Sequence, residues 1–214
     1  ALGSFLGNGS SNGDPIIMYD QLADRFFVSQ FQISNDALII GMSTTADPTG
    51  TYNVYSFPLD AFPDYPHYNI WPDAYYMTAN KFQGNTIYAL DRVAMLAGAP
   101  NPAIVGFNLP GVVRNPNTVF SPEPANLLGT TLPPAGAPGY IVYLQDDSWP
   151  GINDDHLKIW ELDIDFAGTS TVSAPDIIPI SDFDSFFRPF GSGDFDQPST
   201  NQRVDGASGV ISYM

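Results

Sequence analysis

The sequence predicts an all-β protein of short antiparallel strands, and three observations carry that prediction. Aromatic and β-branched runs alternate with clusters of Gly, Pro, Asn and Asp along most of the chain, which is the pattern of strands and turns. Helix signals are confined to two short stretches. The 214 residues include 19 Gly and 20 Pro, more than ordinary usage, so chain-reversing residues are never far apart.

Residues 1–12, with the Gly-rich "LGNGSSNG", read as a flexible N-terminal lead, because no helix pattern follows the glycines. Residues 13–214 carry the strands. The first unit contains "PIIMYD", "RFFVSQF", "ALIIGMST" and "TYNVYSFPL", separated by "QLAD", "QISND" and "TADPTG". Asp14-Pro15 marks the turn that feeds the first strand, where Pro lacks the amide a ladder needs. Asp24-Arg25 lies in the next turn, where Asp is expected to accept nearby backbone amides. The second unit contains "HYNIWPD", "AYYMTANKF", "NTIYALDRV" and "AIVGFNLP". Within it "ALDRVAMLAGAP", from Ala89, supports a turn or two of helix before Gly98 and Pro100 stop it. The third unit is looser: "LLGTTLP", "GYIVYLQDD", "HLKIWELDID" and "STVSAPDIIPI". After it, "SDFDSFFRPF" supports a short helix capped by Ser181 or Asp182, and a partial fourth unit starts near "GDFDQPST".

Four-stranded units repeating at about 50 to 65 residues are the signature of β-propeller blades. The stretches "GDPIIMYDQLADRFFVSQF", "MSTTADPTGTYNVYSF", "FPDYPHYNIWPDAYYMTAN" and "DDHLKIWELDIDF" resemble secreted bacterial β-propeller proteins, which are distantly similar to sialidase-type propellers with Asp-box-like turns. The resemblance spans residues 13–166. It implies the fold and an exported setting, either extracellular or periplasmic, and carries over no activity and no catalytic residue. About three blades and a partial fourth do not close a ring, which takes four to eight. An open end would expose strand edges. The expectation is therefore part of a full ring, with the remaining blades from the same longer chain or from an assembly, and with the terminal "GVISYM" as a strand pairing beyond it. The chain begins at Ala1 rather than Met, so a signal peptide or upstream segment is expected to have been removed.

Charge narrows the partners. Twenty-three acids face 7 bases for a net charge of −16. Such a surface repels phosphate backbones, so nucleic acid is not an expected partner, and anionic membrane surfaces are disfavoured likewise. No apolar run reaches the length of a membrane span. Acidity either serves solubility alone or attracts divalent cations, Ca²⁺ first where oxygen ligands cluster. With no Cys, disulfide and thiol chemistry are absent.

The densest oxygen cluster is "QDDSWPGINDDH", which puts Asp146, Asp147, Asn153, Asp154 and Asp155 in one loop. These are the candidate Ca²⁺ ligands, although the spacing is not that of an EF-hand; the alternative is a solvated loop whose acids cap turns. Two D-F-D pairs place Asp182 with Asp184 and Asp194 with Asp196 on one face of an extended chain, with Phe on the other. They read either as a metal or acid-pair face or as an amphipathic edge. Glycoside hydrolysis needs two positioned carboxylates. Glu123 and Glu161 are the only Glu, and Glu161 alternates outward in "KIWELDID". Arg25 and Arg92 each follow an Asp, which points to local pairing rather than a carboxylate clamp. His67 and His156 are far apart and form no zinc pattern. Trp71, Trp149 and Trp160 are either sugar platforms or core. No Gly-x-Ser-x-Gly elbow or phosphate loop is present. The balance favours a non-catalytic exported protein that binds carbohydrate or protein, or builds an extracellular assembly. The alternative is a glycan-active hydrolase or lyase of propeller type.

Overall fold

The computed structural model describes residues 2–7, 12–115, 118–129, 131–185 and 195–204. Strand accounts for 41% and helix for 6%, as the all-β reading requires. Three antiparallel sheets follow one another along the chain. The first runs β1 (Ile16–Asp20), β2 (Arg25–Gln32), β3 (Ala37–Ser43) and β4 (Tyr52–Pro58), in that spatial order. The second runs β5 (Asp64–Ile70), β6 (Ala74–Asn80), β7 (Ile87–Asp91) and β8 (Ile104–Phe107). The third is built on β9 (Glu123–Pro124), β10 (Gly139–Gln145) and β11 (His156–Asp163), with β12 (Thr171–Val172) and β13 (Asp176–Pro179) both on the far side of β11. A two-stranded ribbon, β14 (Phe195–Asp196) with β15 (Arg203–Val204), lies in the stretch expected to begin a fourth unit. No helix among the described residues is long and apolar enough to cross a membrane.

Side-chain alternation explains how the sheets stack. On β6, Tyr75, Met77 and Ala79 join Phe27, Leu38, Ile40 and Met42 of the first sheet in one core. Their neighbours Ala74 and Tyr76 turn the other way, into a second core with Ile141, Tyr143 and Trp160 of the third sheet. The middle sheet is thus buried on both faces, and its strands read as continuous apolar runs for that reason. On the outer face of the first sheet, α1 (Leu2–Phe5) lies within the stretch expected as a lead. Leu6 is buried there in the space a Gly41 side chain would occupy, and the Phe5 ring meets Tyr52 edge-on at 4.8 Å between centroids.

The turns follow Asp chemistry, though not with the expected partners. Asp14, Asp24 and Asp36 adopt positive φ (46°, 55° and 49°) just before β1, β2 and β3, a conformation Asp tolerates better than most residues. Asp24 accepts the Tyr19 hydroxyl at 2.7 Å rather than a backbone amide; the amides of Leu22 and Ala23 go to Asp20. The helix expected from Ala89 is α2 (Arg92–Leu96), with Asp91 as N-cap accepting from the Ala94 amide, and Gly98 at φ 71° just beyond its end.

Three expectations are corrected. "LLGTTLP" does not form a strand in its described residues; the third sheet starts instead at Glu123–Pro124, where Pro124 sits on an edge that spares its missing amide. "STVSAPDIIPI" is two strands rather than one, broken where Pro175 has no amide to give. Residues 181–185 are not helical, because the Phe183 and Ser185 amides are drawn onto Asp155 and Asp146. Arg188, Asp194 and "GVISYM" lie outside the described residues.

Candidate functional site

The first strands of all three sheets line one groove of about 530 Å³. β1 contributes Ile16, Met18 and Tyr19, β5 contributes Pro66 to Ile70, and β9 contributes Glu123. Asn69 ties β5 to β9 by donating to the Pro124 carbonyl. On the opposite side, Gln21 reaches out of the β1–β2 turn and donates from Nε2 to the carbonyls of Leu127 (3.1 Å) and Gly129 (2.6 Å) in the connection after β9. The groove therefore has three strand walls and a fourth side closed by a side chain.

Glu123 is 2% exposed at the groove wall. The His67 Nδ1 lies 2.9 Å from its Oε2 and 2.8 Å from its Oε1. Oε1 has no hydrogen bond of acceptable geometry. Burial pushes the Glu123 carboxyl above its ordinary value, and His67 offsets only part of that. The Tyr65 ring sits 4.6 Å from the imidazole, centroid to centroid. Tyr19, half exposed, presents a ring at the edge of the same groove. Apart from tyrosines, His67 and Glu123 are the titratable residues among the described ones lining it.

The acidic loop joins β10 to β11. Carboxylate oxygens of Asp146, Asp147 and Asp155 lie within 4.8 Å of one another. Asp146 and Asp155 are buried and act as braces: Asp146 accepts the Ser148 amide at 2.7 Å and the Ser185 amide at 2.8 Å, and Asp155 accepts the amides of Asp147 (2.7 Å) and Phe183 (2.6 Å). Burial alone would raise the Asp146 carboxyl, but the Ser148 and Ser185 bonds outweigh it and hold it low. Asp147 is exposed, and the negative charge of Asp155, with smaller help from desolvation, Asp146, Asp182 and Asp184, pushes its carboxyl up. A divalent cation at the three carboxylates would relieve that repulsion. Asp154 is exposed and outside the group, while Asn153 is exposed on a neighbouring cleft of about 550 Å³ that also includes Asp154, Asp155 and Asp182. Of the D-F-D pair, Asp182 and Asp184 face solvent and Phe183 packs against the second core. Asp196 pairs with Arg203 at 3.2 Å.

Other sequence candidates turn out structural. Trp149 and Trp160 are almost fully buried, and Trp71, 8% exposed, lines a small cleft between the second and third sheets. Arg25 donates to the Ala23 and Asp24 carbonyls, not to a carboxylate. Arg92 ignores Asp91 and makes a two-pronged contact with buried Asp20, Nε at 2.7 Å and Nη2 at 3.0 Å. Glu161 is exposed, as its alternation implies. The His67–Glu123 pair, 56 residues apart, left no local signal; the scarcity of Glu was the only hint. No family model, curated protein or solved structure matches the chain.

Proposed function

We propose that the chain is an exported propeller-type module that binds a carbohydrate in the groove between its first strands. The observation behind this reading is the convergence of β1, β5 and β9 on one groove, as the inner strands of radially arranged blades converge on a shared channel. The lining mixes amide side chains (Gln21, Asn69), the half-exposed Tyr19 ring and apolar Ile16, Met18 and Leu127, which suits a ligand that is polar at its edges and apolar on its faces. Binding rather than hydrolysis is favoured because Glu123 is the only carboxylate among the described residues lining the groove, whereas glycoside hydrolysis uses two. Calcium at Asp146, Asp147 and Asp155 would be structural, since that loop is not part of the groove lining.

One observation favours a second reading, glycan hydrolysis elsewhere. A cleft of about 320 Å³ between the second and third sheets contains both Asp73 and Asp163. Burial raises the Asp73 carboxyl, more than the Tyr76 hydroxyl bond lowers it. A carboxyl raised by burial near a second carboxylate is the direction of shift that a general acid in hydrolysis needs.

Calorimetric titration with a panel of neutral and charged tetrasaccharides tests the first reading. Binding is expected for at least one, with Tyr19→Ala weakening it about tenfold, as truncation of an aromatic anchor does. Absence of binding across the panel, or affinity indifferent to Tyr19→Ala, overturns it. Release of reducing ends that Asp73→Asn abolishes would establish the second.

A further inference from the structure

The groove is unbalanced in charge. Among the described residues no Lys or Arg lines it, and the whole chain carries −16. Glu123 lies behind His67: its side chain is 3% exposed against 22% for the imidazole. With Nδ1 held on the carboxylate, His67 keeps Nε2 for a ligand, and Nε2 has no partner among the described residues. A neutral imidazole that donates through Nδ1 is an acceptor at Nε2. The pair then presents a ring nitrogen and, behind it, a carboxylate whose Oε1 is buried without a hydrogen bond. With Nδ1 donating to an ionised carboxylate, the pair would offer acceptors and negative charge and no donor. Filling the groove with a neutral ligand would strip the remaining water from that charge without compensating it, whereas a cationic donor would compensate it. An anionic sugar meets no cation among the described residues of the groove and is repelled at long range by the acidic surface.

We propose that the groove selects glycans bearing a free primary amine, with the ammonium of a 2-amino-2-deoxyhexose donating to His67 Nε2 and balanced by Glu123. This rests on the carbohydrate reading and adds to it the substrate class. The acidic surface draws such a ligand in, and Tyr19 covers one sugar face at the groove's edge.

The test is calorimetric titration of the wild-type chain with three tetrasaccharides of matched linkage: fully deacetylated glucosamine, its N-acetylated form and the unsubstituted glucose form. Each is run at about 0.02 M and about 0.5 M NaCl to separate long-range attraction from contact. The amine form is expected to bind at least about tenfold more tightly than either neutral form, as a charge-assisted bond implies, and to retain a preference at high salt. Glu123→Gln is expected to remove the preference, with its melting curve confirming that it is folded. Equal binding of the three sugars overturns the inference and leaves the carbohydrate reading standing. Failure of all three to bind overturns both. An amine preference that vanishes at high salt, or that survives in folded Glu123→Gln, shows attraction to the acidic surface at large and also overturns it. If Glu123→Gln does not fold, His67→Gln takes its place, with the same loss of preference expected and the same survival overturning it.

Discussion

Asp20 shows how far a single side chain's obligations can reach. Its carboxylate accepts the amides of Leu22 and Ala23, the Tyr75 hydroxyl at 2.7 Å and both prongs of Arg92. It is fully buried, so it closes its own turn and bolts the first sheet to the second. Removing one partner of a buried ion pair strands the other charge in a low dielectric. Asp20→Ala is therefore expected to cost about 3–5 kcal/mol in urea unfolding, and a loss below about 1 kcal/mol would mean the network contributes nothing net. Sequence placed Arg92 beside Asp91 and so missed this pair, whose members are 72 residues apart; a helix start claimed Asp91 instead. Asp60 makes a second link. Burial would raise its carboxyl, but bonds from Lys81, Tyr88 and the Asn85 amide overcome that and bring it to about 2, below the ordinary 3.8. A carboxyl depressed in the folded state stabilises fully above its unfolded value and loses that contribution as pH falls through the folded one. The melting deficit of Asp60→Asn should accordingly be constant above about pH 4 and shrink from there to about pH 2. A deficit independent of pH would assign the effect to packing.

At the scale of elements, the first eight strands were legible, although β5 runs Asp64–Ile70 where residues 67–73 were expected, three residues off at both ends. Alternation, Asp turns and Pro or Gly stops all agree there, which is what makes a segment readable. The third sheet was harder for physical reasons. Its first strand is two residues, Glu123–Pro124, too short for any periodicity, and its outer edge is broken at Pro175. The acidic loop was visible through composition alone, but proximity sorted its members: Asp146, Asp147 and Asp155 converge while Asp154 is exposed and outside the group. A cation bound only by the folded chain at a hundredfold excess over Kd adds about 2.7 kcal/mol. Millimolar Ca²⁺ is therefore expected to raise the melting midpoint over that in EGTA, Asp147→Asn to abolish the rise and Asp154→Asn to leave it intact. A midpoint indifferent to EGTA would make the three acids braces and nothing more. The groove was invisible at this scale, since its lining is gathered from strands that give no sign of sharing a wall.

For the whole molecule, 23 acids against 7 bases mean that folding concentrates like charge. Self-repulsion of that kind weakens a compact state and is screened by salt, from a Debye length of about 30 Å at 0.01 M to about 3 Å at 1 M. The melting midpoint is expected to climb with NaCl; a fall would show that attractive pairs such as Lys81–Asp60 and Arg92–Asp20 outweigh the repulsion. The bridge from Gln21 to Leu127 and Gly129 sets a further property, the order of assembly. It joins positions 106 and 108 residues apart, and loop closure over such a span comes late because its entropy must be met before the contact rewards it. The first two sheets share a core and can condense from their own residues, but the cavity between the leading strands stays open until the third sheet arrives. A ligand held there as proposed would be withheld from every partly folded form, and occupancy of the groove would report that the chain has finished folding.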